Sequence, residues 1–393
     1  MLARDSNHQR FRSIDVRPEQ LRRACSRPMP AAARPAPLMA SSMPASAEAL
    51  ERRPAPPGAP VPGSATAREA SRAAGGVKVG LLSNPRSERN RRGLEDVHAA
   101  GAGRPDVLHE RLGDGREIAE VLRGFARREV GLLVVNGGDG TVQRVLTALL
   151  EERPFESMPA LAILPRGMAN MTAGDVGLRG RTPAALRRLL DLAGTGDLER
   201  HLVERRVLRV ENAQGVPPQR GMCFGAAGLC DVIGWVCDRI HPLGLKGEWA
   251  HGSALAVLLM RALLGRLPDG VLQGQELSVA LDGGPAVRSR HFLVLATTLD
   301  RLVLGSRPFW NEADGPISYT SIAHPPPRLV WHAKRLLYGP GRNRLPDGYF
   351  SRGVSRVELV LESPFMIDGE MFEPGADRPL VLSAADRIRL VRL

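Results

Sequence analysis

Cysteine and aromatic residues are scarce in this 393-residue chain, and each scarcity excludes a class of protein. Four cysteines are too few to staple a chain of this length, and none of them forms a Cys-x-x-Cys pair of the kind that binds structural zinc. Aromatic residues make up only 4% of the chain, so the sequence offers no interleaved stacking platform for nucleic acid. We interpret the cysteines as buried apolar thiols and expect a reducing, cytoplasmic location.

Long hydrophobic runs are also missing. The nearest candidate for a membrane span, residues 254–264, is short and contains Arg261, whereas a spanning helix needs about 20 consecutive apolar residues. The sequence therefore predicts no transmembrane helix and leaves open a peripheral contact with the inner face of the membrane. The amphipathic stretch 243–267 or the pair Arg187 and Arg188 could make that contact, although a packed helix and a solvated helix face are the favoured interpretations.

Lysine is nearly absent. Only three of the 54 basic residues are lysines, and 42 acidic residues leave a formal net charge of +12. A nucleic-acid groove would explain this charge, but a solvated, arginine-rich surface explains it without any aromatic partner. We therefore predict no nucleic-acid partner.

Composition divides the chain into three parts. Residues 1–76 are rich in Pro, Ala and Arg without apolar periodicity, which predicts a disordered tail. Residues 77–197 alternate short apolar strands with amphipathic helices, which predicts a doubly wound α/β nucleotide-binding domain. Residues 198–393 contain short apolar segments separated mostly by turns, which predicts a β-rich sandwich domain.

Two loops of the α/β part are suited to phosphate. Residues 134–142 read Val-Val-Asn-Gly-Gly-Asp-Gly-Thr-Val and lie between a predicted buried strand and a predicted helix. Glycines there let backbone N–H groups and the positive helix end contact phosphate, although a tight turn also explains them. The second loop, residues 165–170, follows the next strand, so both loops should open at the same carboxyl edge of the sheet, where open α/β sheets bind ligands.

Two carboxylates, Asp368 and Glu370, lie in an Ile-Asp-Gly-Glu segment near the C-terminus. In a strand, the alternation of side chains would point both carboxylates to the same side. An exposed hairpin turn is the simpler explanation of the segment taken alone. Spacing does not rank the two carboxylates as candidate bases.

Taken in order, four motifs resemble those of the diacylglycerol kinase catalytic-domain family, which includes bacterial lipid kinases and the sphingosine and ceramide kinases. They are Asn84-Pro85-Arg86-Ser87, residues 137–141, Pro165-x-Gly-x-x-Asn170 and residues 367–370. The resemblance covers residues 77–393 and implies a nucleotide domain, a β-rich second domain and a cleft between them. It further implies transfer of the γ-phosphoryl group of ATP to a lipid hydroxyl with Mg²⁺. The partner would be a lipid substrate at the membrane surface, and a homodimer is left open.

The resemblance also assigns roles to individual residues. Glu370 would accept the proton of the lipid hydroxyl with Asp368 beside it, and Asp139 would bind Mg²⁺ or assist as a base. Asp314, in an Asp-Gly pair, would hold a structural metal ion. The nucleotide would contact Asn84, Ser87, Asn136, Gly137, Gly138, Asp139, Gly140, Thr141, Gly167, Met168 and Asn170.

Four positions depart from the family pattern. Glu88 replaces a glycine, Gln143 replaces an asparagine, and Met168 and Met171 replace a threonine and an aspartate. The two methionines remove a hydroxyl and a carboxylate, which keeps open a catalytically impaired lipid-binding or regulatory protein of the same fold. An NAD kinase is a further alternative, but it would need an Asn-Glu pair and a glycine/serine-rich second-domain motif that we do not find.

Overall fold

A computed structural model describes residues 76–113, 117–178, 182–228, 230, 274–310, 314–339, 345–376 and 378–393. Apart from Gly76, the predicted tail lies outside the described residues, as does the amphipathic stretch 243–267. The described residues belong to one compact unit, Val61–Leu393. No helix among them is both long and apolar enough to cross a bilayer. Cys223 and Cys230 are buried thiols, as expected.

The described α-helices are α1 (Glu95–Gly101), α2 (Ile118–Arg127), α3 (Asp139–Glu152), α4 (Met171–Val176), α5 (Thr182–Thr195) and α6 (Leu329–Tyr338). Short 3-10 helices cover Asn90–Arg92, Asp197–His201 and Val303–Gly305. The strands are β1 (Val79–Ser83), β2 (Val107–Arg111), β3 (Leu132–Gly137), β4 (Ala160–Pro165), β5 (Leu202–Arg206), β6 (Leu208–Glu211), β7 (Gln219–Gly221), β8 (Cys223–Ala227), β9 (Gln275–Leu281), β10 (Val287–Thr297), β11 (Ile317–Ala323), β12 (Tyr349–Val354), β13 (Arg356–Val360), β14 (Phe365–Ile367), β15 (Glu370–Phe372), β16 (Leu380–Ser383) and β17 (Arg387–Val391).

The first sheet has six strands in the order β2-β1-β3-β4-β17-β5. Strands β1 to β4 pair in parallel, and β1 and β3 are buried along their whole length, as a sheet covered on both faces requires. Alternate residues of these strands face opposite layers. Leu82 and Leu133 pack with α2 and α3, whereas Leu81 and Leu132 pack with α1 and α5. The predicted doubly wound α/β architecture is therefore confirmed.

The second sheet has eleven strands, and every pairing in it is antiparallel. Its core contains the ring of Phe365, which stacks between Phe224 and Phe372 at centroid distances of 5.4 and 5.8 Å. The predicted β-rich second part is confirmed.

The first sheet takes its last two strands, β5 and β17, from beyond residue 197. Strand β17 is parallel to β4 and antiparallel to β5. The domain boundary that we predicted at residue 197 stays a prediction, since these strands connect the chain across it.

Candidate active site

Three loops meet at the carboxyl edge of the first sheet, and the two that follow β3 and β4 are those that we predicted to open there. The loop after β1 is joined to the loop after β3, because the Asn84 N–H donates to the Asn136 carbonyl at 3.0 Å. The side-chain Nδ2 of Asn84 donates to Thr141 Oγ1 at 2.8 Å, and Ser87 Oγ accepts the Gly138 N–H at 3.3 Å. The first two motifs therefore form one hydrogen-bonded surface.

Gly138 and Gly167 bring the second and third loops into direct backbone contact. A Cβ on Gly167 would lie 2.5 Å from Gly138 Cα, and one on Gly138 would lie 2.9 Å from Gly167 Cα, so neither position accepts a side chain without movement. Asn170, at φ 50°, closes the third loop by accepting the Gly167 N–H and donating to the Gly167 carbonyl, both at 2.8 Å. Its amide is thus engaged in holding the loop.

Asp139, the first residue of α3, is buried against the start of α4. Its Oδ1 accepts the Thr172 N–H at 3.2 Å. Burial raises the pKa of this carboxyl, and backbone N–H groups of residues 170–172 oppose the rise. Thr172 Oγ1 is also buried and has no hydrogen-bond partner among the described residues. Asp139 therefore links α3 to α4, the helix that follows the third loop. Helix α3 begins in the second loop, residues 137–141, which the sequence predicts to contact phosphate and which we call the phosphate loop.

The Asp-Gly-Glu segment forms a two-residue hairpin between β14 and β15. Ile367 pairs with Glu370, and the two central residues, Asp368 and Gly369, have φ values of 50° and 89°. Positive φ at both central positions is typical of a type I′ turn. Our prediction that Asp368 and Glu370 point to the same side was therefore wrong, because the turn interrupts the strand alternation: Asp368 is buried and Glu370 is exposed.

Asp368 is 2% exposed and is bound by backbone N–H groups at the start of β8. Its Oδ2 accepts from Met222 at 2.9 Å, and its Oδ1 accepts from Cys223 at 2.9 Å. Burial raises the pKa of Asp368 to about 8, and the charge of nearby Asp139 contributes to the rise. The carboxylate of Asp368 in the hairpin is therefore close enough to Asp139 in the phosphate loop for their charges to interact.

Glu370 makes the direct contact between the second sheet and the phosphate loop. A Cβ on Gly140 would overlap the Glu370 carboxylate, so this exposed carboxylate lies on the first turn of α3. Glycine at position 140 is what permits the approach. The structure thus brings Asp139 together with Asp368 and Glu370, which lie more than 200 residues further along the sequence.

The remaining predicted site residues have different surroundings. Asn136 is fully buried and donates from Nδ2 to Ser83 Oγ at 2.8 Å, so its side chain lies beneath the loop. Met168 is half-buried in the third loop, and a Cβ on Gly137 would meet the Thr141 side chain at 2.6 Å. Asp314 is exposed, and in the described part of the chain no group of three or more His, Cys, Asp or Glu side chains is arranged to hold a metal ion.

Sequence reasoning missed a polar seam between α3 and β7. Gln143 Nε2 donates to Gln219 Oε1 at 3.0 Å, and Thr147 Oγ1 accepts the Arg220 N–H at 2.9 Å. The Arg220 side chain, 5% exposed, pairs with Glu151 and with Asp386. The spacing of Gln143, Thr147 and Glu151, four residues apart along α3, is the signal that could have revealed this face.

Comparisons with known proteins agree with the resemblance inferred from the motifs. Residues 78–197 match the family model described as the diacylglycerol kinase catalytic domain. These residues are similar to diacylglycerol kinase catalytic domains. The match covers the three loops at the carboxyl edge of the first sheet, and the resemblance inferred from the motifs is confirmed.

Two curated relatives are described as lipid kinases. Lipid kinase YegS of Escherichia coli (strain K12) is 41% identical over 95 residues, which cover 23% of this chain and 29% of that protein. The protein described as probable lipid kinase YegS of Escherichia coli O17:K52:H18 (strain UMN026 / ExPEC) is 40% identical over 171 residues, which cover 38% of this chain and 54% of that protein. The chain thus matches about half or less of the length of these relatives.

Solved structures share the fold over a longer stretch. A diacylglycerol kinase from Bacillus anthracis str. Sterne has a TM-score of 0.52 at 16% identity and covers 81% of this chain and 97% of its own. A putative diacylglycerol kinase from the same organism has a TM-score of 0.56 at 17% identity, with 81% and 98% covered. At such identities the likeness concerns the fold, including the second sheet.

Proposed function

We propose that the protein is a lipid kinase that transfers the γ-phosphoryl group of ATP to the hydroxyl group of a lipid such as a diacylglycerol or a sphingoid base. The observation that carries the proposal is the contact of Glu370 with Gly140. This contact supports the proposal because the exposed Glu370 carboxylate lies where a nucleotide on the phosphate loop would meet an acceptor held by the second sheet.

The nucleotide would lie against the loop that opens α3. The first N–H groups of a helix have no intrahelical partner, and together with the helix dipole they favour anionic oxygens. Gly138 and Gly167 leave this surface free of side chains, which supports a close approach of the phosphates. Ser87 and Thr141 add hydroxyl groups at its rim.

The residue types at the loop fit a Mg²⁺–ATP complex. Magnesium needs only one or two protein carboxylates when phosphate oxygens and water complete its coordination, and Asp139 and Glu370 both border the loop. When bound, the ion would neutralise charge on the phosphates during transfer. The protein's own contribution is to orient the phosphates and to supply a proton acceptor.

Among the three carboxylates, Glu370 is the best candidate for the general base. Both oxygens of Asp368 accept backbone N–H groups in the interior, and Asp139 is bound to the start of α4. Both of these carboxylates are buried, whereas Glu370 is exposed. We therefore assign proton removal to Glu370 and the positioning of the hairpin to Asp368.

The experiment presents the full-length protein and γ-labelled ATP with total membrane lipid, and in a separate arm with NAD⁺. We expect label in a lipid class and none in NAD⁺. Glu370→Gln should lower turnover by roughly 10²–10⁴-fold with little change in ATP affinity. Glu373→Gln, an exposed carboxylate three residues away, is the matched control and should keep wild-type turnover.

Three results would contradict the proposal. Label in NAD⁺ alone would identify an NAD kinase. ATP binding without label in any lipid would favour the impaired, lipid-binding alternative that Met168 and Met171 suggest. Full activity of Glu370→Gln would remove Glu370 from the role of base and leave Asp139 and Asp368 to be tested.

A further inference from the structure

Helix α6 exposes four side chains along one face. Trp331, Lys334, Arg335 and Tyr338 follow the i, i+3, i+4, i+7 spacing, and all four are exposed. Trp331 is 83% exposed and Tyr338 is 57% exposed, which is unusual for side chains with so much apolar surface. We call these four residues the α6 face.

The opposite side of α6 is firmly packed, so the exposure of this face does not reflect a detached helix. Leu329 and Leu336 pack against the cluster of Phe292, Ile322 and Tyr349, which come from β10, β11 and β12. The end of the helix is also held, because the Arg307 N–H donates to the Leu337 carbonyl at 2.6 Å. The α6 face is therefore a fixed surface without a covering element among the described residues.

The charge around this face has one sign. Residues 315–339 contain no Asp or Glu and carry Arg328, Lys334 and Arg335. Neither Lys334 nor Arg335 forms an ion pair with a carboxylate of the described residues. Tryptophan and tyrosine prefer the bilayer–water interface, and basic side chains beside them attract anionic headgroups.

We propose that the α6 face docks the protein on the surface of an anionic lipid bilayer. The rings of Trp331 and Tyr338 enter the headgroup region, while Lys334 and Arg335 contact lipid phosphates. The inference rests on the proposed function, since a lipid acceptor is what brings the protein to a bilayer. It assigns the contact to a helix that neither the catalytic-domain match nor the sequence motifs include.

The α6 face lies away from the candidate active site along β10. Phe292, near one end of the hydrophobic stretch of β10, packs under α6, whereas Thr297 at the other end pairs with Cys223, which binds Asp368. Five residues of extended strand separate the two positions by about 17 Å. Substitutions on the α6 face should therefore change membrane binding without touching the phosphate loop.

The test is co-sedimentation of the full-length protein with vesicles, in the absence of ATP. Vesicles of equal parts phosphatidylglycerol and phosphatidylcholine are compared with vesicles of phosphatidylcholine alone. We expect binding to the anionic vesicles only, and a loss of about tenfold or more in Lys334→Glu/Arg335→Glu and in Trp331→Ala. The matched control is Arg187→Glu/Arg188→Glu, an adjacent pair of exposed arginines on α5, which should change binding by less than about twofold.

Three results would overturn the inference. The first is that the wild-type protein fails to bind anionic vesicles. The second is that the α5 control loses as much binding as the α6 variants, which would mean that binding depends on net charge alone. A wild-type dimer that dissociates on Trp331→Ala, with vesicle binding unchanged, would identify the face as an interface between two copies. Because binding is measured without ATP, failure of phosphoryl transfer would leave this result standing and would count only against the proposed function.

Discussion

Asp139, Asp368 and Glu370 carry the same functional group in three different environments. The sequence could nominate all three, because the GGDGT and Asp-Gly-Glu segments are motifs. It could not rank them, since burial and hydrogen bonding decide which carboxylate is accessible. The backbone N–H groups that bind Asp368 belong to Met222 and Cys223, which lie 145 or more residues away and share no motif with it.

His109 is a residue whose burial makes the stability of the protein depend on pH. Its Nε2 and Ser83 Oγ are 2.8 Å apart, and Ser83 in turn accepts from Asn136 beneath the phosphate loop. Burial lowers the pKa of His109 to about 4, with the charges of His98 and Arg111 adding to the effect. The unfolded chain, with a histidine pKa near 6.5, therefore takes up a proton at a higher pH than the folded protein does.

We predict from this that acidification from about pH 7 to pH 5 lowers the melting temperature, because protonation there favours the unfolded state. His109→Gln should reduce that dependence, whereas His201→Gln at the end of a 3-10 helix should leave it unchanged. Thermal melts of the three proteins at both pH values measure the effect. Equal acid sensitivity in the wild type and His109→Gln would contradict it.

Gly140 is a second residue at which geometry gives a direct prediction. A Cβ there would overlap the Glu370 carboxylate, so Gly140→Ala should push the carboxylate away from the loop. A displacement of about 1 Å at a reacting group can cost on the order of 10²-fold in rate, and we expect a loss of that size in lipid phosphorylation.

Gly124→Ala is the matched control for this substitution. Gly124 also lies in a helix, and the nearest atom to an added Cβ is Arg127 Nη2 at 4.0 Å, so activity and melting temperature should stay at the wild-type level or rise slightly. Wild-type turnover in Gly140→Ala would show that the contact with Glu370 does not matter for transfer.

At the scale of elements, the seam between α3 and β7 connects the phosphate loop to the hairpin. Gln143 lies one turn into the helix that the loop opens, and Gln219 lies in the strand that leads to Met222. The sequence predicted α3 from its apolar positions and singled out Gln143 only as a departure from the family pattern. Its partner could not be predicted, because β7 has three residues and too little periodicity to reveal a strand.

We predict a measurable coupling between the two glutamines. Gln143→Leu leaves Gln219 Oε1 buried without its donor and should lower the free energy of unfolding by about 1–3 kcal/mol. The double variant Gln143→Leu/Gln219→Leu removes both polar groups and should recover part of that loss. Denaturant unfolding of both single variants and the double variant gives the coupling, and strictly additive effects would argue against a seam that acts as a unit.

At the scale of the whole molecule, the alternation of strands and helices sufficed to predict β1 to β4, the four neighbouring parallel strands of the first sheet. The sequence could not predict that the C-terminal strand β17 joins that sheet. Strand β17 has ordinary strand composition, and periodicity identifies a strand without identifying its neighbours. The pairing of β17 with β4 joins residues 390 and 161, which no local pattern connects.

The last prediction concerns removal of residues 387–393, which contain β17. Strand β17 lies between β4 and β5, and its Ile388, Leu390 and Val391 are each at most 2% exposed. Burying three such side chains contributes roughly 5–9 kcal/mol, which is comparable to the whole stability of a typical domain.

The truncated protein should therefore lose its cooperative thermal transition, although the three loops of the candidate site and Glu370 are intact. Removal of residues 1–72, a longer deletion whose composition predicts no buried core, is the control and should leave the melting temperature unchanged. Calorimetry of both truncated proteins decides the matter. A normal transition after loss of residues 387–393 would mean that the first sheet holds together through β1 to β4 alone.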